Sequence, residues 1–170
     1  MLNQKIVSVL GVIFSPDRKQ VLLTKRADVP VWVLPGGGVH PEESLEMAIR
    51  RELQEELGVP PHQIQHVATY HTQGPFLKPT ALFCCTLNTP PQLQSDEVTA
   101  IQYFALTHLP PLPPFFPEFI QDALQATDTL QEKTLVMTYN TVLKTFLRHP
   151  RLVTRFLWIR VKKALTCCAD

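Results

Sequence analysis

The sequence contains no apolar run that approaches the roughly 18 residues needed to cross a lipid bilayer. No small-residue cleavage motif follows its first residues, so we expect no secretory signal peptide. The four cysteines form two adjacent pairs, Cys84-Cys85 and Cys167-Cys168, and no C-x-x-C spacing typical of zinc or redox sites occurs. These absences favour a reduced, cytoplasmic protein without a disulfide framework or a zinc cluster.

The sequence also has few charged residues and almost no net charge, which restricts the kinds of molecule that the protein as a whole could bind. The 170-residue chain is 45% hydrophobic and 18% charged, as in globular proteins, and its net charge of +1 excludes a strongly basic nucleic-acid binder overall. The charge is uneven, because residues 118–170 hold eight Lys and Arg against five Asp and Glu. We therefore predict a domain over residues 1–127 and a basic, helical C-terminal extension over residues 128–170.

Short apolar and β-branched runs predict a series of strands. They lie at residues 6–14, 21–25, 31–34, 64–72, 80–87 and 99–105. A turn at residues 15–19 would join the first two as a hairpin. Later helical patterns lie at residues 118–126, 130–147 and 152–164. This order predicts an α+β fold, arranged as an α/β/α sandwich with a mixed β-sheet.

The strongest helical pattern runs from Ser44 to Leu57. Ser44 is a good N-cap residue, and Gly58 stands where a helix commonly ends in the left-handed conformation. Apolar residues recur at helical spacing and form one stripe for burial. These residues are Leu45, Ala48, Ile49, Leu53 and Leu57.

The opposite face of this helix is acidic. Glu52, Glu55 and Glu56 are spaced i, i+3 and i+4, so three carboxylates share one patch and repel each other. Oxygen ligands clustered on a rigid helix suit Mg²⁺ or Mn²⁺. The same pattern also fits a solvated face on which arginines pair with the glutamates. Three glycines, residues 36–38, precede the helix and would allow the close backbone approach that a phosphate-binding loop requires.

The segment from Gly37 to Val59 resembles a known family motif, the Nudix box. The box reads G-x5-E-x7-R-E-U-x-E-E-x-G-U, where U is an aliphatic residue, and every fixed position is matched here. The matching residues are Gly37, Glu43, Arg51-Glu52-Leu53, Glu55-Glu56, Gly58 and Val59. Flanking segments are also similar to the family, so the resemblance covers residues 5 to about 127.

The resemblance implies a Nudix hydrolase, which uses Mg²⁺ or Mn²⁺ and water to split the diphosphate of a nucleoside diphosphate joined to another group X. It implies that Arg51 orients a catalytic glutamate and that Glu43 and Gly58 have structural roles. Arg26, Gly37 and Gly38 are candidate substrate-binding residues, although Arg26 also fits a surface charge. The implied metal ligands are Glu52, Glu55, Glu56, Glu97 and a backbone carbonyl at Gly37, with Asp96 as a rival to Glu97.

The box leaves the substrate, the general base among its glutamates and the metal count open. ADP-ribose, nucleotide sugars and nucleoside triphosphates all remain candidates, and Pro75 is only a slight hint of ADP-ribose. The aromatic residue that stacks on a base is also open among Trp32, Tyr70, Phe76 and Phe83. The alternative function is a Nudix-like module that senses a nucleotide without turnover.

The C-terminal extension has its own pattern. Seven basic residues and no acidic ones lie between Lys144 and Lys163, and an apolar line runs through Leu152, Phe156 and Ile159. A basic amphipathic helix of this kind could contact an anionic membrane surface or RNA. The preferred interpretation is that it docks on its own domain or on the partner in a homodimer.

Overall fold

The computed structural model describes residues 4–29, 31–74 and 77–138, which form two β-sheets and two helices. Neither helix in this part of the chain is long and apolar enough to cross a membrane. The helices are α1 (Leu45–Leu57) and α2 (Phe116–Leu124). The strands are β1 (Ser8–Ile13), β2 (Gln20–Arg26), β3 (Trp32–Val33), β4 (Gly36–Gly38), β5 (Gln63–Gln73), β6 (Thr80–Thr86), β7 (Val98–Ala105) and β8 (Gln131–Val136).

The larger sheet has five strands in the order β4-β1-β6-β5-β8, and the smaller has three in the order β3-β2-β7. Strands β1 and β6 are parallel, as are β5 and β8, whereas the other neighbours are antiparallel. The predicted mixed sheet is therefore confirmed. The predicted hairpin of β1 and β2 is wrong, because these strands lie in different sheets. Only the turn between them is closed, by a bridge between Phe14 and Val21 and by the Ser15 N–H, which donates to the carbonyl oxygen of Gln20 at 3.0 Å.

The core consists of two apolar clusters that involve opposite faces of the larger sheet. Val9 and Ile13 of β1 pack with Ile49 and Leu53 of α1, whereas Val12 belongs to the cluster that contains the buried face of α2. This alternation follows from the two-residue period of a strand. The five-stranded sheet is thus packed between two helices, which confirms the α/β/α arrangement.

The helix predicted at residues 130–147 is wrong where it can be compared, because Gln131–Val136 form strand β8. Alternate residues of this segment are more buried, with Leu135 only 5% exposed, and the strand pairs in parallel with β5. Non-local pairing has overridden a local helical pattern. The sheet therefore continues beyond residue 127. The remainder of the extension, from residue 139, lies outside the described residues, as does its predicted contact with a membrane or RNA.

Candidate active site

The caps and the buried stripe of helix α1 determine which way its glutamates point. Its N-terminus is capped by Ser44, whose Oγ accepts a hydrogen bond from the Met47 N–H at 3.1 Å. Its C-terminus ends at Gly58 in the left-handed conformation, with φ of 69°. Both caps were predicted, and four of the five apolar stripe residues are buried. Because the stripe faces the sheet, the glutamates of the opposite side face a cleft.

The glycine segment is strand β4 rather than the predicted loop, and it pairs with the edge of β1. Gly36 has φ of 138°, and a Cβ there would lie 2.3 Å from the carbonyl oxygen of Val9, so only glycine fits. A Cβ on Gly37 would lie 2.5 Å from both carboxylate oxygens of Glu52, whereas a Cβ on Gly38 would meet no atom within 4 Å. The Glu52 carboxylate therefore packs against the backbone of Gly37, in the space that a Cβ would occupy.

The Arg51 guanidinium joins α1 to the chain that precedes it. Its Nη2 donates to the carbonyl oxygen of Gly38 at 2.8 Å and to Glu43 at 3.1 Å, and its Nε donates to Glu43 at 2.9 Å. Its Nη1 donates to Glu52 at 2.8 Å and to Glu55 at 3.3 Å. One side chain therefore positions two of the three clustered glutamates.

Glu43 lies behind the cleft and receives hydrogen bonds from two sides. Its carboxylate is held by Arg51 and accepts the backbone N–H of His40 at 3.0 Å. Chiefly because of the Arg51 hydrogen bonds, the pKa of Glu43 is lowered to about 2. The geometry ties the segment before α1 to the helix, in keeping with the structural role that the resemblance implied.

Glu56 has the opposite electrostatic environment. Burial raises its pKa to about 8, and the nearby carboxylates of Glu52 and Glu97 act in the same direction. The Gly36 N–H donates to Glu56 Oε2 at 3.3 Å and, together with Arg26, works against this rise. A buried carboxylate in such a field favours either a proton or a nearby cation.

The donor set suits a divalent cation chemically. Within residues 4–29, 31–74 and 77–138, no group of three or more His, Cys, Asp or Glu side chains is already arranged to hold a metal. Glu52 and Glu55 are instead turned toward Arg51. A cation would draw these carboxylates from the arginine and would offset the repulsion from Glu52 and Glu97, which adds to the effect of burial on the pKa of Glu56. The glutamates thus fit Mg²⁺ or Mn²⁺ after side-chain rotation.

The loop before β7 brings Glu97 to the site. The Gln92 N–H donates to the carbonyl oxygen of Leu57 at 2.7 Å, and the Ala27 N–H donates to that of Glu97 at 2.8 Å. The loop also packs against Gly58, where a Cβ would lie 2.9 Å from the side chain of Gln94. Gly58 thus both ends α1 and admits this loop.

Arg26 is engaged with a carboxylate at the rim of the cleft. Its Nε and Nη2 donate to the two carboxylate oxygens of Asp28 at 2.8 Å and 2.5 Å. This pairing raises the pKa of the Arg26 guanidinium. The side chain is 47% exposed, so a substrate phosphate could compete with Asp28 for it.

The predicted metal-binding, catalytic and substrate-binding residues line one cleft of about 1020 Å³, whereas Asp96, the rival to Glu97, and the structural residues Glu43 and Gly58 do not line it. Lys78 and Phe116 also line this cleft, and the sequence analysis missed both. Neither belongs to the motif, so no spacing signal could have identified them. The residues that line the cleft and were predicted are Arg26, Gly37, Gly38, Arg51, Glu52, Glu55, Glu56 and Glu97.

Three of the four predicted stacking residues are described by the structure, and none of the three lines the cleft. Tyr70 and Phe83 are buried in the core, at 0% and 3% exposure, and Trp32 packs edge-on against Phe104 away from the cleft lining. Pro75 and Phe76 lie outside the described residues. The core thus accounts for two of the four aromatic candidates.

Comparison with known proteins gives one consistent family. A family model for the NUDIX domain matches residues 4–123. An RNA pyrophosphohydrolase of Pseudomonas savastanoi pv. phaseolicola is 41% identical over 59 residues, which cover 35% of this chain and 37% of that protein. The chain thus spans little more than a third of the length of this curated relative.

Solved structures match over a longer stretch. The MutT NUDIX hydrolase from Burkholderia pseudomallei is 26% identical with a TM-score of 0.58, and the match covers 71% of this chain and 98% of that chain. The NUDIX domain of Shewanella oneidensis NrtR, solved in complex with ADP ribose, is 25% identical with a TM-score of 0.60. That match covers 73% of this chain and 89% of that chain.

Proposed function

This chain belongs to the Nudix hydrolase family, and we propose that it is a metal-dependent hydrolase of the diphosphate linkage in a nucleoside diphosphate joined to another group. The observation that carries the proposal is the convergence of Glu52, Glu55 and Glu56 with Arg51 and the backbone of Gly37 in one cleft. A cleft that served only as a solvated acidic face would not need a glycine strand fitted to one of its carboxylates.

The reaction explains why so much negative charge is gathered here. A diphosphate is anionic and repels an incoming nucleophile, and glutamates without a bound cation would repel the diphosphate itself. Mg²⁺ or Mn²⁺, held by Glu52, Glu55, Glu56 and Glu97 with a backbone carbonyl at Gly37, would neutralise this charge and lower the pKa of bound water. The cation therefore makes the acidic cleft compatible with an anionic substrate.

The protein's own groups supply orientation and proton acceptance. Arg51 orients Glu52 and Glu55, and the Gly36 N–H fixes Oε2 of Glu56. Glu56 is also among the residues that line the cleft. One of these carboxylates takes the proton of the attacking water, and the buried setting of Glu56 suits that task.

Three substrate groups are candidates. The name of the RNA pyrophosphohydrolase relative points to RNA, and the NrtR domain was solved with ADP ribose. Nucleotide sugars remain a third group because the motif leaves the group X open. The second candidate function is nucleotide sensing without turnover, which needs only binding of the kind seen between the NrtR domain and ADP ribose.

The test is hydrolysis of a nucleotide panel with Mg²⁺ by the wild type and by Glu56→Gln. The panel holds ADP-ribose, nucleotide sugars, dinucleoside polyphosphates and normal and oxidised triphosphates, and phosphate or nucleotide products are measured by chromatography. Glu46→Gln is the matched control, because Glu46 lies on the same helix but pairs with Arg50 outside the cleft.

We expect turnover by the wild type and Glu46→Gln, and loss of turnover in Glu56→Gln. Equal turnover in Glu56→Gln and the wild type would contradict the assignment of the site. Binding of a panel member at micromolar concentration without turnover would replace the hydrolase with the sensing module.

A further inference from the structure

We infer that the Phe116 ring is the surface on which the nucleobase of the substrate stacks, an inference that rests on the proposed nucleotide substrate. Among the described residues that line the cleft, Phe116 is the only Phe, Tyr or Trp. It lies in the same cleft as Glu52 and Glu56, yet it belongs to α2, on the other side of the sheet from α1. The cleft therefore offers a charged wall and an aromatic wall.

The backbone before Phe116 is held in an unfavourable conformation. Phe115 has φ of 70°, in the left-handed region that bulky residues rarely adopt. The Phe116 N–H donates to the carbonyl oxygen of Pro113 at 3.3 Å, and the Phe119 N–H donates to that of Phe115 at 2.9 Å. Strain of this kind persists only where surrounding structure enforces it, and it is concentrated at functional sites. Here it fixes the point at which Phe116 enters α2.

The Phe116 ring is the outer member of a row of aromatic side chains. Its centroid is 5.7 Å from that of Phe119, which in turn is 4.4 Å from that of Tyr70. Phe119 and Tyr70 are 4% and 0% exposed, and the Tyr70 hydroxyl donates to Asp122. Phe116 is only partly buried. The row thus packs behind the ring of a residue that lines the cleft.

The two walls match the two parts of a nucleotide. The glutamates and their cation suit the diphosphate. A nucleobase of any type presents a flat π face that can stack on an aromatic ring. Leu10 and Leu34 also line the cleft and extend its apolar part. The inference thus assigns the base of each proposed nucleotide substrate to the side of the cleft that holds Phe116.

The first measurement is steady-state kinetics of Phe116→Leu and Phe116→Tyr on the best nucleotide of the panel. Base stacking contributes enough that Phe116→Leu should raise KM by about 5- to 150-fold, with a smaller change in kcat. Phe116→Tyr keeps a ring and should stay close to the wild type. Phe14→Leu is the control, because Phe14 is also partly buried but lies outside the cleft lining.

The second measurement needs no turnover. The 5′-triphosphate of 2-aminopurine riboside loses fluorescence when its base stacks, so its quenching on stopped-flow mixing reports stacking before any cleavage. We expect quenching with the wild type, Phe116→Tyr and Phe14→Leu, and its loss with Phe116→Leu. Thermal unfolding of each variant identifies any that has lost its fold.

The outcomes separate this inference from the proposed function. Quenching that depends on Phe116, without hydrolysis of any nucleotide, would uphold the stacking surface and reject the hydrolase. Hydrolysis with an unchanged KM and undiminished quenching in Phe116→Leu would overturn the stacking surface and leave the hydrolase standing. An equal rise in KM for Phe14→Leu would also overturn it, because the effect would then come from packing.

Discussion

Arg51 binds Glu43 through two hydrogen bonds, from Nε at 2.9 Å and from Nη2 at 3.1 Å. Paired bonds of this type fix the plane of the guanidinium as well as its position. The remaining donors are thereby directed to Gly38, Glu52 and Glu55. A residue outside the cleft thus sets the orientation of the arginine that positions the acidic side chains within it.

Replacement of Arg51 by lysine tests this arrangement. An ammonium group keeps the charge but cannot hold five acceptors in a fixed plane, so Glu52 and Glu55 should lose their common anchor. We expect kcat to fall by up to about 100-fold, as for other small displacements of catalytic groups. Kinetics on the best substrate measures this effect.

Arg50→Lys provides the control for that experiment. Arg50 lies on the same helix, but it donates to Glu46 and to the carbonyl oxygen of Pro61, outside the cleft. Its replacement should leave kcat within about twofold of the wild type, as is usual for exposed charges. A comparable loss of activity in both variants would show that the helix, and not the Arg51 hydrogen bonds, had been disturbed.

The contact between Gly37 and Glu52 predicts a contrast between two neighbouring glycines. Gly37→Ala would place a Cβ 2.5 Å from the Glu52 carboxylate, which must then move, whereas Gly38→Ala would meet open space. We expect Gly37→Ala to lower kcat by about 10- to 100-fold and Gly38→Ala to change it little. Because the Glu52 side chain can rotate away, both variants should unfold near the wild-type temperature. Equal kinetics in the two variants would refute the contact.

The motif residues and the caps of α1 could be predicted from the sequence because their spacing is local. Ser44, Gly58 and the three glutamates are all placed by the period of one helix. The sequence could not show that Gly36–Gly38 form a strand, because that strand exists only through pairing with β1. The same reason explains β8, whose residues carry a helical pattern and yet join β5.

The aromatic and basic residues of the cleft show a second limit of sequence reasoning. Tyr70 and Phe83 could not be told from ligand-contacting aromatics until the packing was known. Phe116 and Lys78 come from segments far from the motif, and only the tertiary fold brings them to the cleft. The sequence shows which side chains could bind a ligand, but it does not show which distant segments the fold brings together.

The buried hydroxyl of Tyr70 predicts a stability effect away from the catalytic residues. It donates to Asp122, which also accepts from Lys133 Nζ at 2.6 Å, so the pair ties β5, α2 and β8 together. Tyr70→Phe removes one donor from a carboxylate that is 9% exposed and should lower the free energy of unfolding by roughly 1–3 kcal/mol. Urea unfolding measures the change.

Tyr103→Phe is the matched control for that loss. Tyr103 lies on β7 and packs against the other apolar cluster, and among the described residues its hydroxyl has no hydrogen-bond partner. Its replacement should change the free energy of unfolding by less than about 0.5 kcal/mol. An equal decrease in the free energy of unfolding in both variants would show that the hydrogen bond between Tyr70 and Asp122 makes no specific contribution to stability.

The low pKa of Glu43 predicts how stability depends on pH. Its pKa is about 2 in the folded protein, below the ordinary value of 4.5, because Arg51 and the His40 N–H stabilise the charged form. The resulting stability is fully present above about pH 4.5 and is lost as the pH falls toward 2. Glu43→Gln should therefore be less stable than the wild type at pH 7, and the difference should shrink steadily between pH 4.5 and pH 2.5. Urea unfolding at several pH values, with Glu46→Gln as the exposed control, measures it. A difference that stayed constant over this range would show that the charge of Glu43 does not stabilise the fold, and that only its shape matters.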